Sequence, residues 1–344
     1  DLCSCVWIPN ENIEMQNHFK TVPVIDVGAL AAPDSTAYDQ LCCDLGHAYS
    51  TIGFGYVQNH GISNELIAGM IEAARDFHAL PIAEKMKIEL NRNHRGFIPM
   101  DSATDVRSEI EAAQRPNQSE SFIMMREADP QDPDVLAGVF LAGSNQWPTH
   151  MPGFRTLVMK YHRALSRVAH QLLQALFRAI GTDFIELKAH FDCPTTFLRL
   201  LHYPEKKTDT PADHYGSAPH VDFGCITLLT QDQGGLQVQG PAGDWLHVPP
   251  VPNTFVMNVG TMLSRWSNGV LRSTAHRVIN ESGRSRFSVA FFYDPHMNTE
   301  VAPLKSCVSK DHPLCFEPVV YRDFVRDQLQ ATYIHHQLHD GQDT

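Results

Sequence analysis

The stretch APHVDFGCITLL, residues 218–229, has the composition of a β-strand but carries two strongly polar groups near its start. Residues 226–229 (ITLL) are types that pack well on a pleated sheet. His220 and Asp222 precede them, with one residue between the two. Residues i and i+2 of a strand point to the same face. We therefore predict one strand over 218–229, with an imidazole and a carboxylate side by side.

A neutral imidazole and a carboxylate can bind a divalent metal together, but two ligands are too few. The best third candidate is His276, in the segment RSTAHRVIN, which lies 54 positions after Asp222 (276 − 222 = 54) at the head of another β-rich run. Two histidines and one carboxylate on one face of a metal leave coordination positions open, as in non-haem Fe(II) oxygenases. Two alternatives stay open here: a chance HxD tripeptide in a chain with 19 histidines, and a catalytic zinc site.

The segment RSRFSVAFFY, residues 284–293, adds a second polar pair to a strand-like run. By the period of two, Arg286, Ser288, Ala290 and Phe292 share one face. An unpaired arginine buried on that face would cost several kcal/mol, so it reaches either solvent or an anion. The guanidinium fork fits a carboxylate, and the serine hydroxyl adds a donor. The alternative is a surface arginine or a structural ion pair.

The second half of the chain predicts a β-sandwich or barrel. Short β-rich runs, separated by Gly, Pro, Asn and Asp, recur over residues 195–300; these are 196–203, 223–230, 235–239, 245–248, 254–259, 275–280 and 286–293. A long amphipathic helix is expected over 154–181, ended by Gly181. Further helices are expected at 36–50, at 64–88 with a break at Pro81, and at 321–338, after an N-terminal arm over 1–20.

Bulk composition limits the partners. The chain has 344 residues, and its net charge is 27 − 39 = −12, so phosphate backbones and anionic lipid surfaces are not expected partners. No apolar run approaches the roughly 18 residues that span a bilayer, and no secretory leader is evident. Eight scattered cysteines without a CxxC pair favour reduced thiols and a cytoplasmic protein, with disulfide bridges as the alternative.

The order H-x-D, distal histidine, R-x-S resembles that of the 2-oxoglutarate/Fe(II)-dependent dioxygenases, in particular the branch containing isopenicillin N synthase. Further segments are similar to that branch, among them RGFIP (95–99), LRLLHYP (198–204) and STAHRV (273–278). The resemblance implies a mainly β fold with helices: a double-stranded β-helix, or jelly roll, buttressed by helices. It also implies one compact unit with an N-terminal region (1–120), a catalytic core (121–310) and a C-terminal helix (311–344).

Carried over by position, the resemblance makes His220, Asp222 and His276 the iron ligands. The groups that hold the distal carboxylate of 2-oxoglutarate would be Arg286, Ser288 and Tyr203. One departure is Leu201, where several members have an asparagine that orients the iron-proximal end of the co-substrate. That role would fall to water or to Arg199, which could instead bind substrate or pair with an acid.

The resemblance implies Fe(II), 2-oxoglutarate and O2 as cofactors and co-substrates, with ascorbate as reductant in vitro. Decarboxylation to succinate and CO2 would accompany hydroxylation, desaturation or rearrangement of a small organic, natural-product substrate. Loops within 97–125 and the C-terminal helix are expected to contact that substrate, with the aromatic residues Phe223, Phe291 and Phe292 as walls.

The alternative is an isopenicillin N synthase-like oxidase that uses no 2-oxoglutarate. A non-catalytic binding protein is disfavoured because all three ligands are present. Nothing predicts the oligomeric state.

Overall fold

The computed structural model describes residues 21–104, 115–206, 211, 214–240 and 242–332. The arm expected over 1–20 and the end of the closing helix lie outside these residues. The strands of the described part are β1 (Val24–Asp26), β2 (Phe54–Gln58), β3 (Gly96–Ile98), β4 (Glu120–Met125), β5 (Thr195–Tyr203), β6 (Ser217–His220), β7 (Ile226–Gln231), β8 (Leu236–Gln239), β9 (Trp245–His247), β10 (Thr254–Val259), β11 (His276–Val278), β12 (Arg286–Asp294), β13 (Glu300–Val301) and β14 (Val319–Val320).

Two sheets form the core. The larger has the order β1-β2-β10-β7-β12-β5-β4-β3, and the smaller has the order β6-β11-β8-β9. Pairing is antiparallel throughout both, except between β1 and β2. Side chains from the two sheets meet in one cluster, with Leu201 and Ala290 of the larger sheet against Val238 and Val278 of the smaller. These facing sheets confirm the predicted jelly-roll core.

Helices α1 (Thr36–Thr51), α2 (Asn64–His78) and α5 (Phe154–Ala179) cover the outer face of the larger sheet. The other helices of the described residues are α3 (Ile82–Lys85), α4 (Pro133–Leu136), α6 (Thr261–Trp266) and α7 (Tyr321–Thr332). The predicted long helix is confirmed as α5, which packs against β7 and β12. It ends where Gly181 takes a φ of 75° and the amide of Thr182 donates to the carbonyl of Phe177. No helix of the described ranges is long and apolar enough to cross a bilayer.

The prediction of one strand over 218–229 is wrong. β6 ends at His220 in the smaller sheet, and β7 begins at Ile226 in the larger sheet. Residues 221–225 carry the chain from one sheet to the other, and Asp222 lies in this crossing. A Cβ at Gly224 would overlap the carboxylate of Asp294, so the crossing needs a glycine here. The apolar residues of 226–229 form a strand, but the polar start of the segment belongs to another sheet.

The region 97–125, where loops are expected from the sequence, contains the strand β4 (Glu120–Met125). All six of its residues (ESFIMM) are buried, and β4 pairs with both β3 and β5. This part of the segment is therefore a buried strand of the sheet rather than a loop. Its uniform burial explains why no period-two pattern is visible in it.

A buried polar cluster lies at the start of β4. The carboxylate of Glu120 accepts hydrogen bonds from Lys85 Nζ at 2.8 and 3.0 Å, and it contacts His202 Nδ1 at 2.9 Å and His78 Nδ1 at 3.2 Å. Burial acts to raise the pKa of Glu120, but the hydrogen bonds from His202, His78 and Lys85 outweigh it and hold this pKa well below its usual range. The cluster joins α2, α3, β4 and β5.

We expect Glu120→Gln to lower the free energy of unfolding at pH 7 by about 3–5 kcal/mol, because it leaves the buried Lys85 ammonium without its anion. The folded-state pKa of Glu120 lies below the ordinary 4.5. The contribution of the ionised Glu120 carboxylate to the free energy of unfolding is therefore complete at neutral pH. This contribution is lost as the pH falls below 4.5. Urea unfolding at pH 7 and at about pH 4 measures both effects. Equal stability of variant and wild type at pH 7 would contradict the assignment.

Candidate active site

The three predicted metal ligands come together between the sheets. His220 ends β6, His276 begins β11, and the two residues are paired across the antiparallel ladder with ring centroids 4.3 Å apart. Asp222 lies in the crossing that follows β6. Its Oδ1 is 3.7 Å from His220 Nε2 and 3.6 Å from His276 Nε2. One carboxylate oxygen and two imidazole nitrogens thus face a common point.

Backbone carbonyl groups orient both imidazoles. His220 Nδ1 lies 2.8 Å from the carbonyl oxygen of Ala218, and His276 Nδ1 lies 3.3 Å from that of Thr274. A carbonyl only accepts hydrogen bonds, so Nδ1 carries the proton in each ring and Nε2 presents its lone pair toward Asp222. This is the tautomer that a metal-binding histidine needs.

The carboxylate of Asp222 is held by two side chains that sequence analysis missed. Its Oδ2 accepts hydrogen bonds from Thr227 Oγ1 at 2.5 Å and from Asn258 Nδ2 at 2.6 Å, which leaves Oδ1 directed at the imidazoles. Burial acts to raise the pKa of Asp222, but the positive charges of His276 and His220, when these imidazoles are protonated, and the two hydrogen bonds keep it below its usual range. The sequence feature that could have identified Asn258 is a side-chain amide inside the largely apolar strand TFVMNV.

This donor set fits a divalent metal. Two donors about 2.0–2.2 Å from one metal are at most about 4.4 Å apart, and the two measured separations lie inside that limit. The described residues contain a second cluster with the same ligand types, His78, Glu120 and His202. There the carboxylate already binds the Lys85 ammonium through both oxygens, so that cluster is structural.

Arg286 is completely buried on the inner face of β12. Its Nη2 donates to Gln231 Oε1 at 2.6 Å, and its Nη1 to Ser288 Oγ at 3.3 Å. The guanidinium carbon lies 4.7 Å from the ring centroid of Tyr203, the residue paired with Arg286 in β5. The structure thus brings together the three residues predicted to anchor 2-oxoglutarate. Gln231 is an addition that sequence analysis missed.

A cavity of about 120 Å³ opens beside the three metal-ligand candidates. Phe223, Phe292 and Arg199 line it, as does Ile123 of β4. Phe291 does not, because it points to the opposite face of β12 and packs in the core beneath α5. Other polar residues at the cavity wall are His94, Asn117, Ser217 and Asp294.

Helix α7 covers this cavity. Its residues Tyr321, Val325 and Leu329 lie in the cavity wall. The Tyr321 hydroxyl donates to Asp294 Oδ2 at 2.8 Å, and Asp294 Oδ1 accepts from the amide of Cys225 at 2.7 Å. Burial raises the pKa of Asp294 to about 7. The C-terminal helix is therefore tied to the same crossing that carries Asp222.

Comparison with known proteins identifies the family. Residues 194–295 match the 2OG-Fe(II) oxygenase superfamily, and residues 22–150 match the N-terminal domain described as non-haem dioxygenase in morphine synthesis. The 2-oxoglutarate-Fe(II) type oxidoreductase hxnY of Emericella nidulans is 32% identical over 90% of each chain. The chain belongs to the 2-oxoglutarate/Fe(II)-dependent dioxygenases.

Other relatives act on varied small molecules. Homoarginine-6-hydroxylase 2-ODD-C23.1 of Arabidopsis thaliana is 33% identical over 93% of this chain and 99% of its own. The crystal structure of a full-length Neurospora crassa protein in complex with alpha-KG and thymine superposes with a TM-score of 0.77 at 25% identity, over 90% of this chain and 95% of the other. The structure of JOX2 with 2OG, Fe and JA has a TM-score of 0.73 at 25% identity, over 92% and 88%.

The protein is thus a 2-oxoglutarate-dependent dioxygenase that uses Fe(II). It couples oxidative decarboxylation of 2-oxoglutarate, to succinate and CO2, to oxidation of a small organic substrate. The relatives do not favour the alternative of an oxidase that uses no 2-oxoglutarate.

We expect Asp222→Ala to weaken Fe(II) binding by at least about 100-fold, or about 2.7 kcal/mol, because the charged ligand is lost. Anaerobic calorimetric titration with Fe(II) measures this without turnover. The matched control is Asp244→Ala, which removes an exposed carboxylate in the turn before β9. Wild-type Fe(II) affinity in a folded Asp222→Ala protein would show that the metal binds elsewhere.

Proposed function

We propose that His220, Asp222 and His276 bind the catalytic Fe(II), and that Arg286, Ser288 and Tyr203 bind the distal carboxylate of 2-oxoglutarate. The observation that carries the second assignment is the charge of Arg286. It is completely buried, and no carboxylate within the described ranges forms an ion pair with it. A buried cation that donates hydrogen bonds to neutral acceptors provides a site for an incoming dicarboxylate.

Bound iron, with 2-oxoglutarate and O2, supplies the oxidising power that breaks a C–H bond of the substrate. The protein supplies position. The guanidinium fork and the Ser288 hydroxyl fix the far end of the co-substrate, with charge-assisted hydrogen bonds worth roughly 1.5–3 kcal/mol each. Asn258 and Thr227 hold Asp222 so that its Oδ1 stays aimed at the metal position.

The organic substrate occupies the cavity beneath α7 in this proposal. Phe223 and Phe292 provide apolar walls that exclude water, and Arg199 provides one charged donor. Arg199 Nε donates to Ser121 Oγ at 2.9 Å, which fixes the side chain in the cavity wall. We infer a small substrate with an apolar body and a carbonyl or carboxylate group that accepts from Arg199. Thymine and homoarginine, named for relatives, each carry such a group.

A cytoplasmic location is part of the proposal. It is supported by Cys193, Cys225, Cys307 and Cys315, which are free thiols. Reduced thiols are the usual state in that compartment.

The experiment that tests the proposed function is a screen of small natural products, with Fe(II), 2-oxoglutarate and ascorbate. Succinate release that rises on addition of one compound, in step with oxygen consumption, identifies a substrate. Oxygen consumption without succinate would contradict the use of 2-oxoglutarate.

We expect Arg286→Gln to raise the apparent KM for 2-oxoglutarate by at least about tenfold, or about 1.4 kcal/mol, because it removes the charge and the fork. Ser288→Ala should have a smaller effect, since it removes one neutral donor. Fe(II) affinity should stay unchanged in both. The opposite pattern, with unaltered 2-oxoglutarate dependence and lost affinity for the organic substrate, would mean that Arg286 holds the substrate's own carboxylate.

We expect Arg199→Leu to raise KM for the organic substrate by at least about tenfold, with KM for 2-oxoglutarate within about twofold of wild type. The reason is that, in this proposal, the organic substrate and not 2-oxoglutarate accepts from this guanidinium. Steady-state kinetics with each substrate varied in turn separate the two constants. Arg167→Leu, on the exposed face of α5, is the control. A rise in KM for 2-oxoglutarate alone would instead place Arg199 at the co-substrate.

A further inference from the structure

Two residues of the segment Gln231-Asp232-Gln233 accept hydrogen bonds from the guanidinium of Arg286. Gln231 is the last residue of β7 and is paired with Ser288 of β12. Its Oε1 accepts from Arg286 Nη2 at 2.6 Å, and the backbone oxygen of Gln233 accepts from Arg286 Nε at 3.3 Å. With Ser288, these contacts fix the plane of the guanidinium from three sides.

The orientation of the Gln231 amide is determined by its second partner. Its Nε2 donates to the carbonyl oxygen of Val248 at 2.8 Å. The amide of Val248 in turn donates to Leu236 of the smaller sheet. Because a carbonyl cannot donate, the amide nitrogen must face Val248 and the amide oxygen must face Arg286. Gln231 thus connects the end of the smaller sheet to the buried cation.

The neighbouring carboxylate is engaged elsewhere. Asp232 Oδ1 accepts from the amide of Phe287 at 2.8 Å, and its Oδ2 accepts from Arg75 Nη2 at 2.7 Å. The hydrogen bonds from the Arg286 guanidinium to Gln231, Gln233 and Ser288 therefore all run to neutral groups, although an acid stands next to Gln231 in the chain. An amide at position 231 orients Arg286 without neutralising it.

We propose that Gln231 is a positioning residue that sets the affinity for 2-oxoglutarate, by orienting Arg286 with a neutral acceptor. This inference rests on the proposed function, in which Arg286 binds the distal carboxylate. A glutamate of nearly the same shape would form an ion pair with Arg286 and repel the incoming carboxylate. The choice of glutamine over glutamate thus keeps the anchor available to its dicarboxylate ligand.

The test is calorimetric titration of the Fe(II)-loaded protein with 2-oxoglutarate, without oxygen. We expect Gln231→Glu to raise Kd for 2-oxoglutarate by at least about tenfold. Kd for N-oxalylglycine, which has the same two carboxylates, should rise in parallel. Kd for oxalate, which is too short to occupy both ends of the site, should stay within about twofold of wild type. A merely structural role would move the oxalate affinity as well.

Two further variants complete the design. Gln237→Glu is the matched control, since Gln237 is also buried and its Oε1 accepts from Arg277 at 2.8 Å. This variant should bind 2-oxoglutarate, N-oxalylglycine and oxalate with the same Kd values as wild type. Gln231→Leu removes the acceptor without adding charge, and we expect a rise in Kd for 2-oxoglutarate of about threefold or more. This variant keeps the test decisive if Gln231→Glu does not fold.

Arg286→Gln, measured in parallel, separates the two hypotheses. If Arg286→Gln weakens 2-oxoglutarate binding while both Gln231 variants bind it like wild type, the role of Gln231 is wrong and the proposed function stands. If Arg286→Gln also binds 2-oxoglutarate normally, the anchor itself is wrong, and the role of Gln231 falls with it. Equal losses for oxalate and N-oxalylglycine would place the effect at the metal and overturn the inference.

Discussion

The site depends on a five-residue crossing, 221–225, in which the chain leaves the smaller sheet and enters the larger one. The backbone oxygen of Asp222 accepts from the amide of Thr261 at 2.8 Å, and a Cβ at Gly260 would overlap the carbonyl oxygen of Gly224. The crossing is therefore packed so closely against the start of α6 that neither Gly224 nor Gly260 has room for a side chain. Because its position is fixed, the Asp222 carboxylate stands opposite two imidazoles on paired strands of the other sheet.

The same crossing links the proposed metal site to the cavity beneath α7. Asp294, at the end of β12, accepts from the amide of Cys225 and from the hydroxyl of Tyr321 on α7. The strand that begins with Arg286 thus ends at a carboxyl group that holds the helix over the cavity. One strand and one crossing therefore position the proposed co-substrate anchor, the proposed metal site and the helix that covers the cavity.

Sequence reasoning could predict whatever depends on local periodicity. The alternation in β12 places Arg286 and Ser288 on the inner face, and the period of α5 is strong enough to locate a 26-residue helix. Sequence reasoning was wrong where tertiary contacts determine where a strand ends. The crossing after His220 packs at Gly224 against Asp294, a residue 70 positions later in the chain (294 − 224 = 70). The supporting groups Asn258 and Gln231 are ordinary polar residues, and only their partners across the sheets reveal a role.

Two clusters in this protein have the same kinds of ligand, and charge distinguishes them. At Glu120 a lysine ammonium lies against both carboxylate oxygens, so the anion is already compensated and the histidines complete a structural network. At Asp222 one oxygen accepts from two neutral donors while the other faces two imidazole nitrogens. A buried anion with only neutral partners lacks a cation. The protein supplies that cation itself in the first cluster, and in our proposal Fe(II) supplies it in the second.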